Sequence, residues 1–292
     1  MGHPTRILSQ KNLRFAWKFS RDSKGRGGAP GIDWLSPRKF GDEISSRIKR
    51  TNEKISKGNY SFRPLRPLLI EKSQSKLRLI CVPTVEDRLV QRAIGMYLEE
   101  GDKLKIRNAV SYGFIRRKTL KEALTDGIRL RHQYPWVLKT DIISFFDKID
   151  RQAVLQKFDA RLPGSNLRPL IKAAIACEIM PGDTKVDAWL KNQEINKGIG
   201  LRQGMPLSPM LSNLFLEKFD KSIESSGIRM IRYADDIAFF LRARLKQMTQ
   251  KTLLPTCFSR SNRRYHPSNL RIAKLKLQTL KNQWSSWACP AT

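Results

Sequence analysis

The chain has 292 residues, of which 40% are hydrophobic and 28% are charged, a balance typical of a folded globular protein rather than a disordered one. Its 56 Lys and Arg residues against 26 Asp and Glu residues give a net charge of +30, which indicates a polyanionic partner such as nucleic acid. A ribosomal-type binder or a membrane-surface protein would carry a similar charge. The four cysteines lack the spacing of a zinc site or a disulfide framework. With no apolar stretch near ~20 residues and no secretory leader after Met1, we expect a cytoplasmic protein without a membrane partner.

The first 135 residues are predicted to be mainly helical, with one β-hairpin. Apolar residues at helical spacing indicate the helices, and two β-prone runs joined by a short polar turn indicate the hairpin. The predicted elements are, in chain order, a basic amphipathic helix within 1–24 that carries Phe15, Trp17 and Phe19, a glycine-rich loop at 25–31, a helix over 36–57, hairpin strands at 65–72 and 77–83, and helices over 85–100 and 120–132.

The next hundred residues predict strands and helices in alternation. A buried strand over 136–143 carries Asp141, and Asp150 is placed to cap the helix that follows. Ser208 and Pro209 predict the start of another helix. The remaining predicted elements are a helix over 166–179, the end of the Ser208 helix near Gly227, and strands at 228–233 and 237–241 around a turn of Ala234, Asp235 and Asp236.

Residues 241–292 differ in composition from the rest of the chain. They contain eleven Lys or Arg residues and no Asp, Glu or Gly. One interpretation is a basic arm that binds nucleic acid. The other, which we favour, is a translated frameshift or a degenerate terminus.

The carboxylates of the acidic turn suit one kind of chemistry. A strand that carries Asp141 beside a turn that carries Asp235 and Asp236 could hold two divalent cations ~3.5–4 Å apart, which stabilise the attacking and leaving oxygens of a phosphoryl transfer. Magnesium needs only a few protein oxygens for this purpose. The plain alternative is a polar turn, in which Asp-Asp is a common pair.

Further segments occur around the acidic turn in a consistent order. They are Gly28-Ala29-Pro30-Gly31-Ile32-Asp33, Arg78-Leu79-Ile80, Pro83-Thr84, Asp87-Arg88-Leu89-Val90-Gln91, Ser111-Tyr112-Gly113-Phe114, Asp141-Ile142-Ile143-Ser144-Phe145-Phe146-Asp147, Gln203-Gly204 with Pro206-Leu207-Ser208-Pro209, and Arg232-Tyr233-Ala234-Asp235-Asp236. Over residues 26–241 the chain resembles the reverse transcriptases of bacterial retroelements, most clearly the group II intron type.

The resemblance implies an α+β fold with the fingers and palm of a right-hand polymerase. An antiparallel palm sheet would carry helices on one face, and the thumb would be absent or incomplete. The implied domains are a basic N-terminal segment at 1–25, fingers with part of the palm at 26–135, the catalytic palm at 136–241 and the atypical basic segment at 242–292. The implied activity is RNA-directed DNA synthesis in a group II intron-like retroelement or a defence-associated relative.

The resemblance also implies roles for individual residues. Two Mg²⁺ ions, with Mn²⁺ as an alternative, would bind at a catalytic set of carboxylates together with Ile142. Deoxyribonucleoside triphosphates and an RNA template with a DNA primer, or an RNA–DNA hybrid, are the implied partners. The implied sites are catalytic and metal-binding Asp141, Asp235 and Asp236, nucleotide-binding Lys72, Arg78, Phe146 and Gln203, and template- or primer-binding Ser111, Tyr112, Gly113, Phe114, Arg116, Arg117 and Tyr233.

The pattern departs from this family after the acidic turn. A Leu-Gly segment and a helical thumb normally follow there, whereas 241–292 contains no glycine. This departure motivates an alternative function, a catalytically inactive and truncated RNA-binding module of maturase-like or remnant character. The basic residues assigned to the hairpin and to 111–118 also have a plain interpretation as solvated surface.

Overall fold

A computed structural model describes residues 4–20, 22, 28–73, 76–142 and 144–242, without the side chains of 72, 73 and 76. The basic C-terminal segment therefore lies outside the described residues, except for its first positions. The described chain forms two compact units. The hairpin unit comprises the described residues of Met1–Asn108, Phe114–Arg117 and Ser144–Lys218, and the sheet unit comprises those of Ala109–Gly113, Lys118–Ile143 and Phe219–Thr292.

The hairpin unit combines short helices with one antiparallel β-hairpin. Its elements are α1 Pro4–Ile7, α2 Gln10–Lys18, α3 Pro37–Asp42, α4 Ile44–Ser56, β1 Arg66–Ser73, β2 Lys76–Val82, α5 Val85–Glu99, α7 Phe145–Lys148, α8 Arg151–Arg161, α9 Arg168–Ala176, α10 Thr184–Asn192 and the greater part of α11 Ser208–Ser225.

Helix α5 lies in the core of the hairpin unit, and its sequence explains both where it begins and which of its faces is buried. Thr84 accepts a bond from the Asp87 backbone N–H at 3.1 Å and so caps the helix. The structure confirms the helix predicted over 85–100. The apolar residues on its inward face are all buried, namely Val85, Leu89, Val90, Ile94 and Leu98.

The sheet unit is a three-stranded antiparallel sheet with helix α6 packed against it. Its elements are α6 Leu120–Gln133, β3 Trp136–Asp141, β4 Arg229–Tyr233, β5 Asp236–Leu241 and the last turns of α11. The strand order is β3-β5-β4, so β5 is the central strand. A small core of Tyr112, Ala123, Ile231 and Phe240 lies between the sheet and α6. Helices together with antiparallel strands confirm the predicted α+β class.

Several predicted boundaries were wrong. The single helix expected over 36–57 is two helices, because Glu43 has non-helical angles (φ −113°, ψ 23°) and separates α3 from α4. The N-terminal helix is also divided, with Ser9 capping α2. Asp236 is the first residue of β5, so the acidic turn consists of Ala234 and Asp235 alone. No helix among the described residues is long and apolar enough to cross a bilayer.

Candidate active site

The acidic turn joins strands β4 and β5, which are neighbours in the sheet unit. Strand β5 pairs with β4 on one side and with β3 on the other, and this register sets Asp141 opposite Asp236. The backbone N–H of Ile142 donates to the Asp235 carbonyl at 3.2 Å. Residues opposite each other in an antiparallel pair direct their side chains to the same face. The fold therefore brings the three predicted carboxylates to one end of the sheet.

The turn itself contains a backbone conformation that most residues avoid. Ala234 has φ 59°, in the left-handed region, which costs about 1–2 kcal/mol for a residue with a Cβ. Arg232 helps to hold it, because its Nη1 donates to the Ala234 carbonyl at 2.8 Å. Such strain persists only where the surroundings fix the backbone.

Arg232 is itself anchored by a buried ion pair. Its Nε and Nη2 donate to the two carboxylate oxygens of Asp220 at 2.7 and 2.5 Å, and both side chains are 1% exposed. A two-pronged contact of this kind fixes the guanidinium in orientation as well as in position. The pair thereby links the end of α11 to the strand that leads into the acidic turn.

The segment before Phe114 supports the turn from the other side. The backbone N–H of Arg232 donates to the Val110 carbonyl, and the Arg232 carbonyl accepts a hydrogen bond from the Tyr112 N–H, both at 2.8 Å. Gly113 packs so closely that a Cβ would overlap the backbone nitrogen of Ala234. Ser111 and Tyr112 are also buried, so this part of the predicted template-binding segment packs against strand β4 and the acidic turn.

Tyr112 is held by polar contacts as well as by packing. Its hydroxyl donates to Asp126 at 2.5 Å, and the Lys118 ammonium lies 4.2 Å from the centre of its ring. Burial and the Asp126 bond raise the pKa of Tyr112. Tyr233 is half-buried against the same core.

The donor set at the turn fits magnesium better than a transition metal. Asp141 is exposed, and Asp235 and Asp236 are partly exposed, so their hard carboxylate oxygens can be reached. In the part of the chain that is described, no three His, Cys, Asp or Glu side chains, these carboxylates included, lie close enough together to form a three-ligand metal site. Magnesium does not need one, because it commonly takes one or two carboxylates and completes its shell with water and substrate phosphates.

Two predicted nucleotide-binding residues contact each other in the hairpin unit. Arg78 on β2 donates its Nε to the Gln203 side-chain oxygen at 2.7 Å. The backbone also joins the two segments, because the Cys81 N–H donates to the Gln203 carbonyl at 2.7 Å. Gly204 has φ 107°, and a Cβ there would overlap the Cys81 carbonyl. Lys72 is described only as a backbone position of β1 near the hairpin tip.

The predicted sugar-selecting residue, Phe146, is almost completely buried. It is 9% exposed, and its ring meets that of Phe145 nearly edge-on with centroids 5.3 Å apart. The Leu201 N–H donates to the Phe146 carbonyl at 2.7 Å, so the chain just before Gln203 runs along the backbone of α7. Phe145 also faces Phe215 and is 2% exposed, so it packs in the core.

A shared carboxylate orders the chain on which Gln203 lies. Glu178 bonds Arg202 Nη2 at 2.8 Å and Arg151 Nη1 at 2.6 Å, and both arginines are buried. Burial alone would raise the pKa of Glu178, but the bonds from Arg202, Gly198 and Arg151 bring it below its ordinary value of 4.5. Ionised Glu178 therefore stabilises the folded unit at neutral pH.

This pKa shift predicts a pH-dependent stability. The depressed folded-state pKa means that the contribution of Glu178 is present above its unfolded-state value and is lost as the pH falls through the folded-state value. We expect Glu178→Gln to destabilise the protein by about 1–3 kcal/mol at pH 7, because two buried arginines lose their charged hydrogen-bond partner. The difference from wild type should shrink below pH 4.5 in urea unfolding. A difference that is constant with pH would contradict this assignment.

Two of the remaining template-binding candidates, Phe114 and Arg116, line a cavity in the hairpin unit. Its volume is about 750 Å³, and Phe114, Arg116 and Gly204 lie in its wall together with Arg88 and Arg92. Phe114 is 50% exposed, so its ring is open to a ligand. Arg117 is exposed on the same segment. Exposed aromatic surface beside guanidinium groups is the combination that binds single-stranded nucleic acid.

The groups that hold the site in place were not predicted from the sequence. Asp220, Glu178 and Arg202 were missed because their partners are distant along the chain. Arg232 was predicted only as a member of the segment that contains the acidic turn. Its position before Tyr233 in a buried strand was a usable signal, since a buried arginine requires a carboxylate partner.

The family comparison covers most of the chain. Residues 70–286 match the family model for reverse transcriptase (RNA-dependent DNA polymerase), so the match extends into the basic C-terminal segment. Protein YkfC of Escherichia coli K12 is 28% identical over 227 residues, which are 74% of this chain and 55% of that protein.

Other relatives are encoded by a group II intron or belong to a retron. The group II intron-encoded protein LtrA of Lactococcus lactis is 27% identical over 179 residues, covering 61% of this chain and 28% of LtrA. A retron reverse transcriptase of Escherichia coli is 26% identical over 172 residues, 56% of this chain and 48% of that protein. The chain thus spans about half or less of these relatives. These matches confirm the resemblance drawn from the sequence motifs: the chain belongs to the reverse transcriptase family and is similar to its bacterial retroelement members.

Proposed function

We propose that the chain catalyses RNA-directed DNA synthesis, in which a primer 3′-hydroxyl attacks a deoxyribonucleoside triphosphate opposite an RNA template. The observation that carries the proposal is the register of the sheet unit, which sets Asp141 opposite Asp236 with Asp235 in the adjoining turn. Membership of the reverse transcriptase family supports the same reaction.

Asp141, Asp235 and Asp236 would hold two Mg²⁺ ions, with the backbone of Ile142 beside them. When bound, the ions supply positive charge for the attacking and leaving oxygens. The protein contributes a fixed arrangement of carboxylates, because Asp141 and Asp236 belong to paired strands and Arg232 holds the turn that precedes Asp236. Carboxylates fixed before the substrate arrives need little reorganisation during the reaction.

Arg78, Lys72 and Gln203 would bind the incoming nucleotide. A guanidinium and an ammonium offset the charge that develops on the leaving pyrophosphate. The bond from Arg78 to the Gln203 oxygen orients the side-chain amide, and its nitrogen can then donate to the nucleotide or to the templating base. Phe114, Arg116 and Arg117 would contact the template, and Tyr233 the primer.

Phe146 gives a prediction about sugar selection. We expect Phe146→Ala to lower the preference for deoxyribonucleotides over ribonucleotides by about tenfold or more, because the ring would no longer exclude a 2′-hydroxyl. The ratio of kcat/KM for the two substrates measures this preference, and it does not depend on the fraction of folded enzyme. Phe146→Tyr, which keeps the ring, is the control. An unchanged ratio in Phe146→Ala would remove the assignment and leave Phe146 as a core residue.

The activity is tested with poly(rA)/oligo(dT), dTTP and Mg²⁺. The proposal predicts incorporation that requires the template and stops when EDTA removes the metal. The alternative, an RNA-binding module without turnover, predicts binding of the hybrid with no incorporation under any metal condition.

A further inference from the structure

Helix α2 and the residue that caps its C-terminus present two aromatic rings to solvent. Phe15 and Phe19 are each 53% exposed, and their ring centroids lie 4.7 Å apart. The opposite side of the helix is fully buried through Leu13 and Ala16, so α2 is attached to the fold without these rings. An exposed aromatic pair of this kind is unfavourable in water and commonly marks a binding surface.

The two rings form part of a groove with helix α5. A cavity of about 520 Å³ is lined by Phe15 and Phe19, by Met96 and Tyr97 of α5, and by Arg92 and Arg116. We name this cavity the aromatic groove. It shares Arg92, Met96, Glu99 and Arg116 with the larger cavity that holds Phe114. The two cavities therefore adjoin within the hairpin unit.

The charged residues that line the aromatic groove are balanced, because Arg92 and Arg116 are offset by Glu99 and Glu100, whereas the chain segment that supplies its two phenylalanines is basic. Residues 4–20 contain no Asp or Glu but include four basic residues, Arg6, Lys11, Arg14 and Lys18. The groove wall also carries Glu99 and Glu100, which would repel a phosphate at that point. A strand that passes here must therefore gain more from stacking of its bases than from charge alone.

We propose that the aromatic groove binds the single-stranded part of an RNA template that continues from the larger cavity. Bases stack on Phe15 and Phe19, and Arg92 and Arg116 contact phosphates where the two cavities adjoin. Stacking on aromatic side chains is worth ~1–3 kcal/mol per base and tolerates any sequence, which suits a template. The proposal rests on the proposed function for the identity of the strand, but the binding itself requires no catalysis.

Equilibrium binding without Mg²⁺ or nucleotides tests the groove. Two RNA–DNA hybrids are compared by fluorescence anisotropy, one with a single-stranded RNA 5′ overhang of about 12 nucleotides, within the range of known single-strand sites, and one blunt. We expect Phe15→Ala/Phe19→Ala to weaken binding of the overhang hybrid about tenfold or more and to leave blunt binding unchanged. The loss should remain at high salt, because stacking is screened little compared with phosphate contacts.

Two variants control for other effects. Phe15→Tyr/Phe19→Tyr keeps the rings and should bind like wild type. Ile128→Ala removes another exposed apolar side chain, 53% exposed on α6, and should change nothing. Unchanged overhang binding in the double alanine variant, as a protein-docking surface predicts, would overturn the proposal. So would an equal loss on both hybrids. If overhang binding depends on the rings but no DNA is made, the groove stands and the proposed function fails.

Discussion

Asp141→Asn and Asp235→Asn are each expected to slow primer extension by about 10³-fold or more. Replacing one carboxylate oxygen by an amide removes a charge that a divalent cation requires, and metal-assisted charge stabilisation is worth several kcal/mol in such reactions. Asp141 belongs to strand β3 and Asp235 to the acidic turn, and the Ile142 N–H joins the two backbones by a hydrogen bond. Neither carboxylate can therefore take the position of the other.

The measurement is the single-turnover rate of nucleotide addition at saturating hybrid, titrated with Mg²⁺. Asp183→Asn is the matched control, because Asp183 caps α10 and asparagine caps a helix equally well. It makes the same change of charge and should retain full activity. Normal rates in Asp235→Asn with wild-type Mg²⁺ dependence would show that the acidic turn does not hold the catalytic metal.

The second large effect is expected at the ion pair behind the turn. We expect Arg232→Ala and Asp220→Ala each to lower the free energy of unfolding by about 3–5 kcal/mol, because each leaves the other charge buried without a partner. Urea unfolding followed by circular dichroism measures this loss. A cost below 1 kcal/mol in either variant would contradict a tight buried pair.

A double replacement separates stability from positioning. In Arg232→Met/Asp220→Leu neither charge remains, and buried pairs replaced by apolar groups often recover most of the lost stability. The Ala234 carbonyl still loses its bond from Arg232. We therefore expect stability to recover more than the rate of extension. Equal recovery of both would mean that the Arg232 bond does not position the turn.

The elements with strong local signals were predictable from the sequence. The stripe on α5, the β1–β2 hairpin and the cap at Asp150 each depend on residues within a few positions of one another, and the structure contains all three. The breaks that divide the first helices, and the short helices α7 and α10, were not predicted. At these points tertiary packing determines the boundary and local propensity is weak.

The candidate site was predictable to the extent that its residues lie in motifs. Arg78 and Gln203 came from separate motifs, and the structure adds the bond between them across 125 positions. The pairing of Arg232 with Asp220 and the sharing of Glu178 by two arginines depend on packing that a sequence pattern does not encode. The exposure of Phe15 and Phe19 was also missed, because an amphipathic pattern does not show which aromatics remain outside the core.

The most direct test of the account is one extension reaction performed on wild type and on Asp235→Asn under identical conditions. Both proteins are first shown to bind the poly(rA)/oligo(dT) hybrid with equal affinity. We expect Mg²⁺-dependent incorporation of dTTP by wild type and almost none by Asp235→Asn. Equal silence of the two proteins, with binding intact, would contradict it and identify the chain as an RNA-binding module.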